Sequence, residues 1–224
     1  VQKMTNFNTE NNINNTNYSD SFNRIVYEAI PTNLHCLDVG CSTGNLGSAL
    51  HKEKHCTVDG IELNSSSAAI ARSRGYGEVF QIDLNFKQNP SILLTELKKY
   101  DVIICADVLE HLISPEQALI QLGKLLRPGG FFVISLPNVA FVLNRLHLMF
   151  GNWEYREYGI LDRTHLRFYT IHSGCQMIKS TGVQIASVKP YNQFGILKHI
   201  SPLDKWFPNL LAYQFLVVAK KAKG

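Results

Sequence analysis

Leu34-His35-Cys36-Leu37-Asp38-Val39-Gly40-Cys41-Ser42-Thr43-Gly44-Asn45-Leu46 reads as strand, loop and helix in immediate succession. The apolar start is long enough for one buried strand. Gly40 and Gly44, with small residues between them, break it, and Leu46, Ala49 and Leu50 resume at helical spacing. Strand, tight glycine loop and helix form the first unit of a doubly wound α/β sheet. Ligands in such sheets sit at the carboxyl ends of the strands, beside the switch point. Glycine lets a ligand approach the backbone, and the helix N-terminus presents N–H groups to negative charge.

The spacing narrows the ligand. A dinucleotide fingerprint reads G-x-G-x-x-G. Here the pattern is D-x-G-x-x-x-G, with Asp38 two residues before Gly40. An acid repels a pyrophosphate and suits a cation or an ammonium, which argues against a nicotinamide oxidoreductase. Asp38-Val39-Gly40-Cys41-Ser42-Thr43-Gly44 closely resembles the first motif of the class I S-adenosylmethionine (SAM)-dependent methyltransferases. In that family the loop wraps the methionine part of SAM. The resemblance therefore implies cofactor contacts at Asp38, Gly40, Cys41, Gly44, Asn45 and Leu46.

The next stretches extend it. Thr57-Val58-Asp59-Gly60-Ile61-Glu62 predicts a second strand ending in an acid. A carboxylate accepts two hydrogen bonds, as a ribose diol can supply, and the family places such an acid here. A dinucleotide fold does so too, so Glu62 and its neighbour Leu63 do not separate the two. Both Asp38 and Glu62 are expected near solvent at strand ends. Asn64 suits the N-cap of a helix from Ser65 to Arg74, which Gly75 ends. Glu78 to Asp83 predicts a third strand; by resemblance Asp83 and Leu84 meet the adenine, and the alternative for Asp83 is a turn opener.

Pro90 to Lys99 predicts a short helix. Val102 to Ala106 is a nearly continuous apolar run, as in a central parallel strand. Asp107-Val108-Leu109-Glu110-His111 matches the family's fourth motif, which adds Ala106, Asp107 and Leu109 to the implied cofactor set. Ser114-Pro115-Glu116-Gln117 predicts a capped helix start with a capping box, the helix running to about Leu126. Arg127-Pro128-Gly129-Gly130 then ends it before a fifth strand, Phe131 to Leu136. The expected fold is a Rossmann-like seven-stranded, mostly parallel sheet with helices on both faces. In the family the last strand is antiparallel and lies between the fifth and sixth.

The second half is expected to build an acceptor site, a lid over about 138–169. Asn138 is the expected N-cap and Gly151 the C-cap of a helix carrying Val139, Val142, Leu143, Leu146 and Met149. Trp153 to Tyr169 crowds aromatics, arginines and a histidine into an irregular stretch, able to stack a ring and clamp an anion. Tyr155, Arg156, Tyr158, Arg163 and Arg167 are the candidate substrate residues; the alternative for the aromatics is a small core under a loop. Asp162-Arg163-Thr164-His165-Leu166-Arg167-Phe168-Tyr169-Thr170 resembles a branch of small methyltransferases from sugar, polysaccharide and natural-product pathways. Thr170 suits the N-cap of a last helix stopped by Gly182. Val183 to Val188 and Tyr213 to Ala219 are the last two strands, joined by a long connection, Lys189 to Ala212.

With 224 residues, 45% of them hydrophobic, the chain can build one sizeable core. Val1 to Asn17 is too poor in apolar residues to offset its ordering entropy, so a disordered tail over 1–17 and a single domain over 18–224 are expected. Phe22, Ile25, Val26, Ala29 and Ile30 predict a helix at the mouth of the cleft or on the sheet edge, stopped by Pro31. A net charge of +4 without a basic block argues against nucleic acid. Five cysteines without a CxxC pair read as reduced, buried thiols. No secretory signal and no bilayer-length apolar run stand out, so the expected location is cytoplasmic. The partner is expected to be a small molecule, and the chain a monomer or a homodimer.

Together these readings imply methyl transfer from SAM to a small-molecule acceptor, leaving S-adenosylhomocysteine, with a hydroxyl of a sugar or natural-product intermediate favoured. N- or C-methylation and a SAM-binding regulator without catalysis are the alternatives. A hydroxyl acceptor needs a base, and histidine is the usual choice. His165 is the first candidate and His111 the second; for His165 the alternative is a structural bond, to Asp162 for example. No HxH or HExxH spacing or carboxylate cluster is present, so metal-independent chemistry is expected.

Overall fold

The computed structural model describes residues 22–85, 99–192 and 207–221. The elements, in order, are α1 (Arg24–Ala29), β1 (His35–Val39), α2 (Asn45–Lys54), β2 (Thr57–Ile61), α3 (Ser65–Ser73), β3 (Val79–Phe80) and β4 (Tyr100–Ala106). After a 3₁₀ turn at Leu109–His111 come α4 (Pro115–Gly123), β5 (Leu126–Pro137), α5 (Val142–Met149), α6 (Ile171–Ser180), β6 (Val183–Tyr191), α7 (Pro208–Leu211) and β7 (Gln214–Lys221).

The strands form one sheet in the order β3-β2-β1-β4-β5-β7-β6. β1 pairs in parallel with β2 and β4, as do β2 with β3 and β4 with β5; β7 runs antiparallel to both β5 and β6. The order reverses at β1 and β4, so their carboxyl ends open a crevice. Successive β4 residues face opposite sides: Val102 and Ile104 pack under α1, α2 and α3, whereas Ile103 and Cys105 pack with α4 and α6. That alternation explains why β4 is apolar throughout: both of its faces are core. No described helix is long and apolar enough to cross a membrane.

Local chemistry sets several boundaries as expected. The Asn64 side chain accepts from the Ser67 N–H at the start of α3, and Thr170 with Ser173 forms a capping box on α6. Other expectations are corrected. β3 shrinks to Val79–Phe80, because Ile82 and Leu84 turn into the core instead of pairing. Ser114 makes no capping bond, although Pro115 does open α4, which stops at Gly123. Arg127 to Gly130 do not precede β5 but bulge within it, since Tyr100 pairs with Leu126 and Val102 already with Phe131.

Asn138 does not cap α5. Fully buried, it accepts from the Ala140 N–H and donates to the carbonyls of Asn209 (3.1 Å) and Ala212 (2.8 Å), tying the end of β5 to the approach to β7. α5 starts later, after Phe141, and buries none of its residues. β6 runs to Tyr191, and α7 lies within the stretch expected as a connection. α1 begins at Arg24, where Asn23 caps it. The expected tail over 1–17, nearly all of the helix over 90–99 and positions 193–206 of the last connection lie outside the described residues.

Candidate active site

The carboxyl ends of β1 and β4 border a cavity of about 360 Å³. Asp38, Gly40 to Thr43, Asn45 and Leu46 line one side, Ala106 and Asp107 the other, and Phe22 and Asn23 its edge. Gly40 has φ +67°, and a Cβ there would stand 2.7 Å from Cγ2 of Val108. Only a bare backbone in this left-handed conformation therefore lets Val108 pack against the loop. Glu62 fixes the loop: Oε2 accepts from the Ser42 N–H (2.9 Å) and Oε1 from the Asn64 N–H (2.7 Å). One carboxylate thus joins the ends of β1 and β2 and keeps lone pairs for further donors.

Asp38 departs from the expected exposure. It is 3% exposed, and its Oδ2 accepts from the Tyr76 hydroxyl at 2.6 Å. That hydroxyl accepts in turn from the Gly47 N–H at 3.0 Å, an approach that a Cβ on residue 47 would block. Burial pushes the Asp38 carboxyl up to about 7; the Tyr76 bond opposes the rise and the charge of Glu62 adds to it. Asp38 is a buried, anchored acid at the cavity wall, not a solvent-facing one.

Asp107 closes the other side with φ +54°, a left-handed conformation that Asp tolerates better than most residues. Its Oδ1 accepts from the Ser135 hydroxyl (2.9 Å) and the Gln214 amide (3.0 Å), and its Oδ2 from the Asn23 amide (3.4 Å). The N-cap of α1, β5 and β7 thus converge on one carboxylate. Of the remaining implied cofactor residues, Gly44 stands at φ +82° as the N-cap of α2, and Leu63 is exposed. Asp83 is exposed and opens a turn, accepting from the Asn85 N–H; Leu84 is buried in the core. Leu109 is fully buried in the core as well, and Val108 is the residue of its motif that stands over Gly40.

The segment expected as a lid docks on the 3₁₀ turn after β4. The Glu110 carbonyl accepts from the N–H groups of Leu166 (2.8 Å) and Arg167 (3.0 Å). The Glu110 side chain is fully buried, and neither carboxylate oxygen has a hydrogen-bond partner among the described residues. Burial raises its pKa well above the ordinary carboxyl value, and the charge of Asp107 adds to the rise. Beside it the rings of His111 and His165 meet edge to face at 4.7 Å. His165 Nδ1 lies 3.0 Å from the Ile160 carbonyl and so carries the proton; its Nε2 is 4.0 Å from Glu110 Oε1. His111 Nδ1 is likewise held by the Thr164 carbonyl (3.2 Å) and hydroxyl (3.1 Å). That hydroxyl donates to Asp162, whose carboxyl is held below its ordinary value by the Thr164 bonds although burial opposes this. Burial, above all, lowers the pKa of His165.

The two histidines come together; the arginines do not join them. Arg163 pairs with Glu157, and Arg167 donates to the Ile113 carbonyl at 2.7 Å. Arg156 lines a separate hollow with His147 and Glu154. Tyr155 and Tyr158 are exposed, while Ile160 and Leu161 pack with Phe141, Phe168 and Tyr213 as a small core under the lid. Sequence reading missed Asn23, Tyr76, Glu110, Ser135 and Gln214. A charged residue between Leu109 and Leu112 was a legible signal for Glu110. The others are brought in from distant strands and helices.

A family model described as a methyltransferase domain matches residues 12–188. The ubiquinone biosynthesis O-methyltransferase of Coxiella burnetii is 26% identical over 180 residues, covering 75% of this chain and 73% of that protein. The enzyme of the same name from Azoarcus sp. is 30% identical over 159 residues, 66% of each chain. Among solved structures, a SAM-dependent methyltransferase from Thermotoga maritima, titled a possible histamine N-methyltransferase, superposes with TM-score 0.62 at 17% identity, covering 88% of this chain and 86% of that one. A structure titled the [4+2]-cyclase SpnF does so with TM-score 0.59 at 18% identity, covering 90% and 80%.

Proposed function

This chain belongs to the methyltransferase domain family and is a SAM-dependent methyltransferase, and from that premise we propose that it methylates a hydroxyl group of a small molecule. The observation that carries the acceptor chemistry is the pair of touching imidazoles, His111 and His165, only a few residues along the chain and across the lid from the cavity wall at Asp107. An alcohol or phenol must lose its proton to attack carbon, whereas an amine brings its own lone pair. The relatives named for ubiquinone biosynthesis are O-methyltransferases, which agrees with this reading.

The residues around the cavity fit SAM. A glycine loop lining the cavity, an anchored acid at Asp38 and a carboxylate with spare lone pairs at Glu62 match a ligand with an ammonium group and a ribose diol. In this proposal Asp38 faces the amino group, Glu62 accepts from the ribose hydroxyls, and Asp83 and the backbone at Leu84 meet the adenine. When bound, SAM supplies a methyl carbon already activated by its sulfonium. The protein's task is then positioning, which can supply several kcal/mol. The apolar lining at Leu46 and Ala106 limits water, and the imidazole pair assists removal of the acceptor proton.

Incubating the protein with SAM and a panel of catechols, other phenols, nucleotide sugars and matched amines tests this. The expected result is a cofactor-dependent mass gain of one methyl group on oxygen. Methylation confined to amines across matched acceptors overturns the hydroxyl reading.

A further inference from the structure

Three side chains able to ligate a cation, Glu110, His111 and His165, converge beside the residues that follow Ile160. The Ile160 and Thr164 carbonyls hold Nδ1–H of His165 and His111, which leaves the other nitrogen of each ring with its lone pair free to bind. The third member is Glu110, fully buried, with both oxygens unpartnered among the described residues. One ligand atom from each of the three lies within 4.8 Å of the others. A water molecule brings two protons and no charge to this spot. It does not compensate a buried carboxylate, which costs several kcal/mol to bury unpaired.

We propose that Glu110, His111 and His165 bind a divalent first-row transition cation such as Zn²⁺ or Co²⁺, with open positions toward the acceptor. The donor set, two imidazoles and a carboxylate, suits these ions better than Mg²⁺, which prefers oxygen. Bonds of about 2.0–2.2 Å put tetrahedral ligands roughly 3.4 Å apart. The 4.0 Å between His165 Nε2 and Glu110 Oε1 is too long for a hydrogen bond and closes to that spacing with a side-chain shift of about half an ångström. The outer contacts are those that orient metal-bound histidines elsewhere: each Nδ1–H on a carbonyl, and Thr164 backed by Asp162.

The role of the site rests on the hydroxyl reading above. A hydroxyl on the cation loses its proton to solvent near neutral pH. Its oxygen forms the new O–C bond as the C–S bond breaks, and that electron pair stays on sulfur. The balance is ROH plus SAM cation giving ROCH₃, S-adenosylhomocysteine and one proton. The histidines then act as ligands, not as the group that takes the proton.

The test uses the full chain, stripped with a chelator and titrated with Co²⁺ alone. Visible absorption and elemental analysis read uptake, and SAM calorimetry and thermal melting read the fold. The expected result is one equivalent bound by the wild type, with at least about tenfold weaker uptake in Glu110→Gln, His111→Ala and His165→Ala. SAM affinity should be retained in all three. If His165→Ala fails to fold, Glu110→Gln, which keeps the shape, decides. Uptake by Glu110→Gln equal to wild type, or none by the wild type, overturns the site. Because SAM binding and methylation are read separately, that failure is distinguishable from failure of the hydroxyl reading.

Discussion

The two sides of the crevice are built differently. On the cofactor side the acidic side chains are tied down: Glu62 by two backbone N–H groups, Asp38 by Tyr76, Asp107 by Ser135, Gln214 and Asn23. On the side proposed for the acceptor the buried acid, Glu110, holds residues 166 and 167 through its backbone, while its carboxylate has no hydrogen-bond partner among the described residues. α5 there buries none of its residues, and Tyr155 and Tyr158 stand exposed. A site shared across a fold must be rigid before its ligand arrives, since preorganisation limits the ordering cost of binding.

If that division holds, damage to the two sides should separate. His165→Ala is expected to have the largest effect, a fall in turnover of roughly 10²–10⁴, the range for losing assistance to proton removal. SAM affinity by calorimetry should stay within a few-fold of wild type. A loss of rate that merely follows a loss of folded protein would reduce His165 to a structural bond on the Ile160 carbonyl within the same segment.

Glu62→Ala should act on the other side, weakening SAM binding about tenfold or more, because a lost hydrogen bond to a charged group costs roughly 1.5–3 kcal/mol. NAD should not compete. Wild-type SAM affinity in this variant would remove the ribose assignment. Asp38→Ala should weaken SAM similarly but also lower the melting temperature, since it strips a buried hydroxyl, Tyr76, of its partner.

The local structure on the glycine-loop side was legible in sequence because its signals are local. A glycine loop, an acid at a strand end and a cap at Asn64 each lie within a few residues of their effect. What lay hidden depends on distant partners. Asp38 reads as an exposed strand end until Tyr76, from the turn after α3, is seen to cover it. Asn138 reads as a helix cap until the chain before β7 comes back to meet its amide. On the acceptor side the pattern was visible but its direction was not. The arginines of the lid marked a polar segment, and two of them turn to Glu157 and Ile113, away from the histidines.

The buried acid gives a pH test of the contrast. Asp38 has an ordinary value of 3.8 and sits at about 7 in the fold. Between these values the folded protein holds a proton that the unfolded chain releases. The stabilisation is therefore full below about 3.8 and is lost as pH rises through about 7. Asp38→Asn should flatten this part of the profile for the ligand-free protein, measured by denaturant unfolding from acid to neutral pH. Identical slopes in the two proteins would mean that Asp38 is ionised in the fold.

The smallest effect expected is at the cap of α6. Thr170 follows Tyr169, which bridges to Asn138, and its hydroxyl accepts from the Ser173 N–H to cap α6. Removing such a cap costs about 1 kcal/mol. For a domain of this size that amounts to a melting temperature lower by roughly 2–4 °C. Thr170→Ala should show that shift with SAM affinity unchanged, because α6 packs on the sheet face away from α2 and the glycine loop. A rate loss without a SAM effect would place the start of α6 with the acceptor side, since the lid ends at its cap. A fall in SAM affinity together with stability would show instead that lid and cofactor framework melt as one unit, and the division argued from the bonded and unbonded acids would fail.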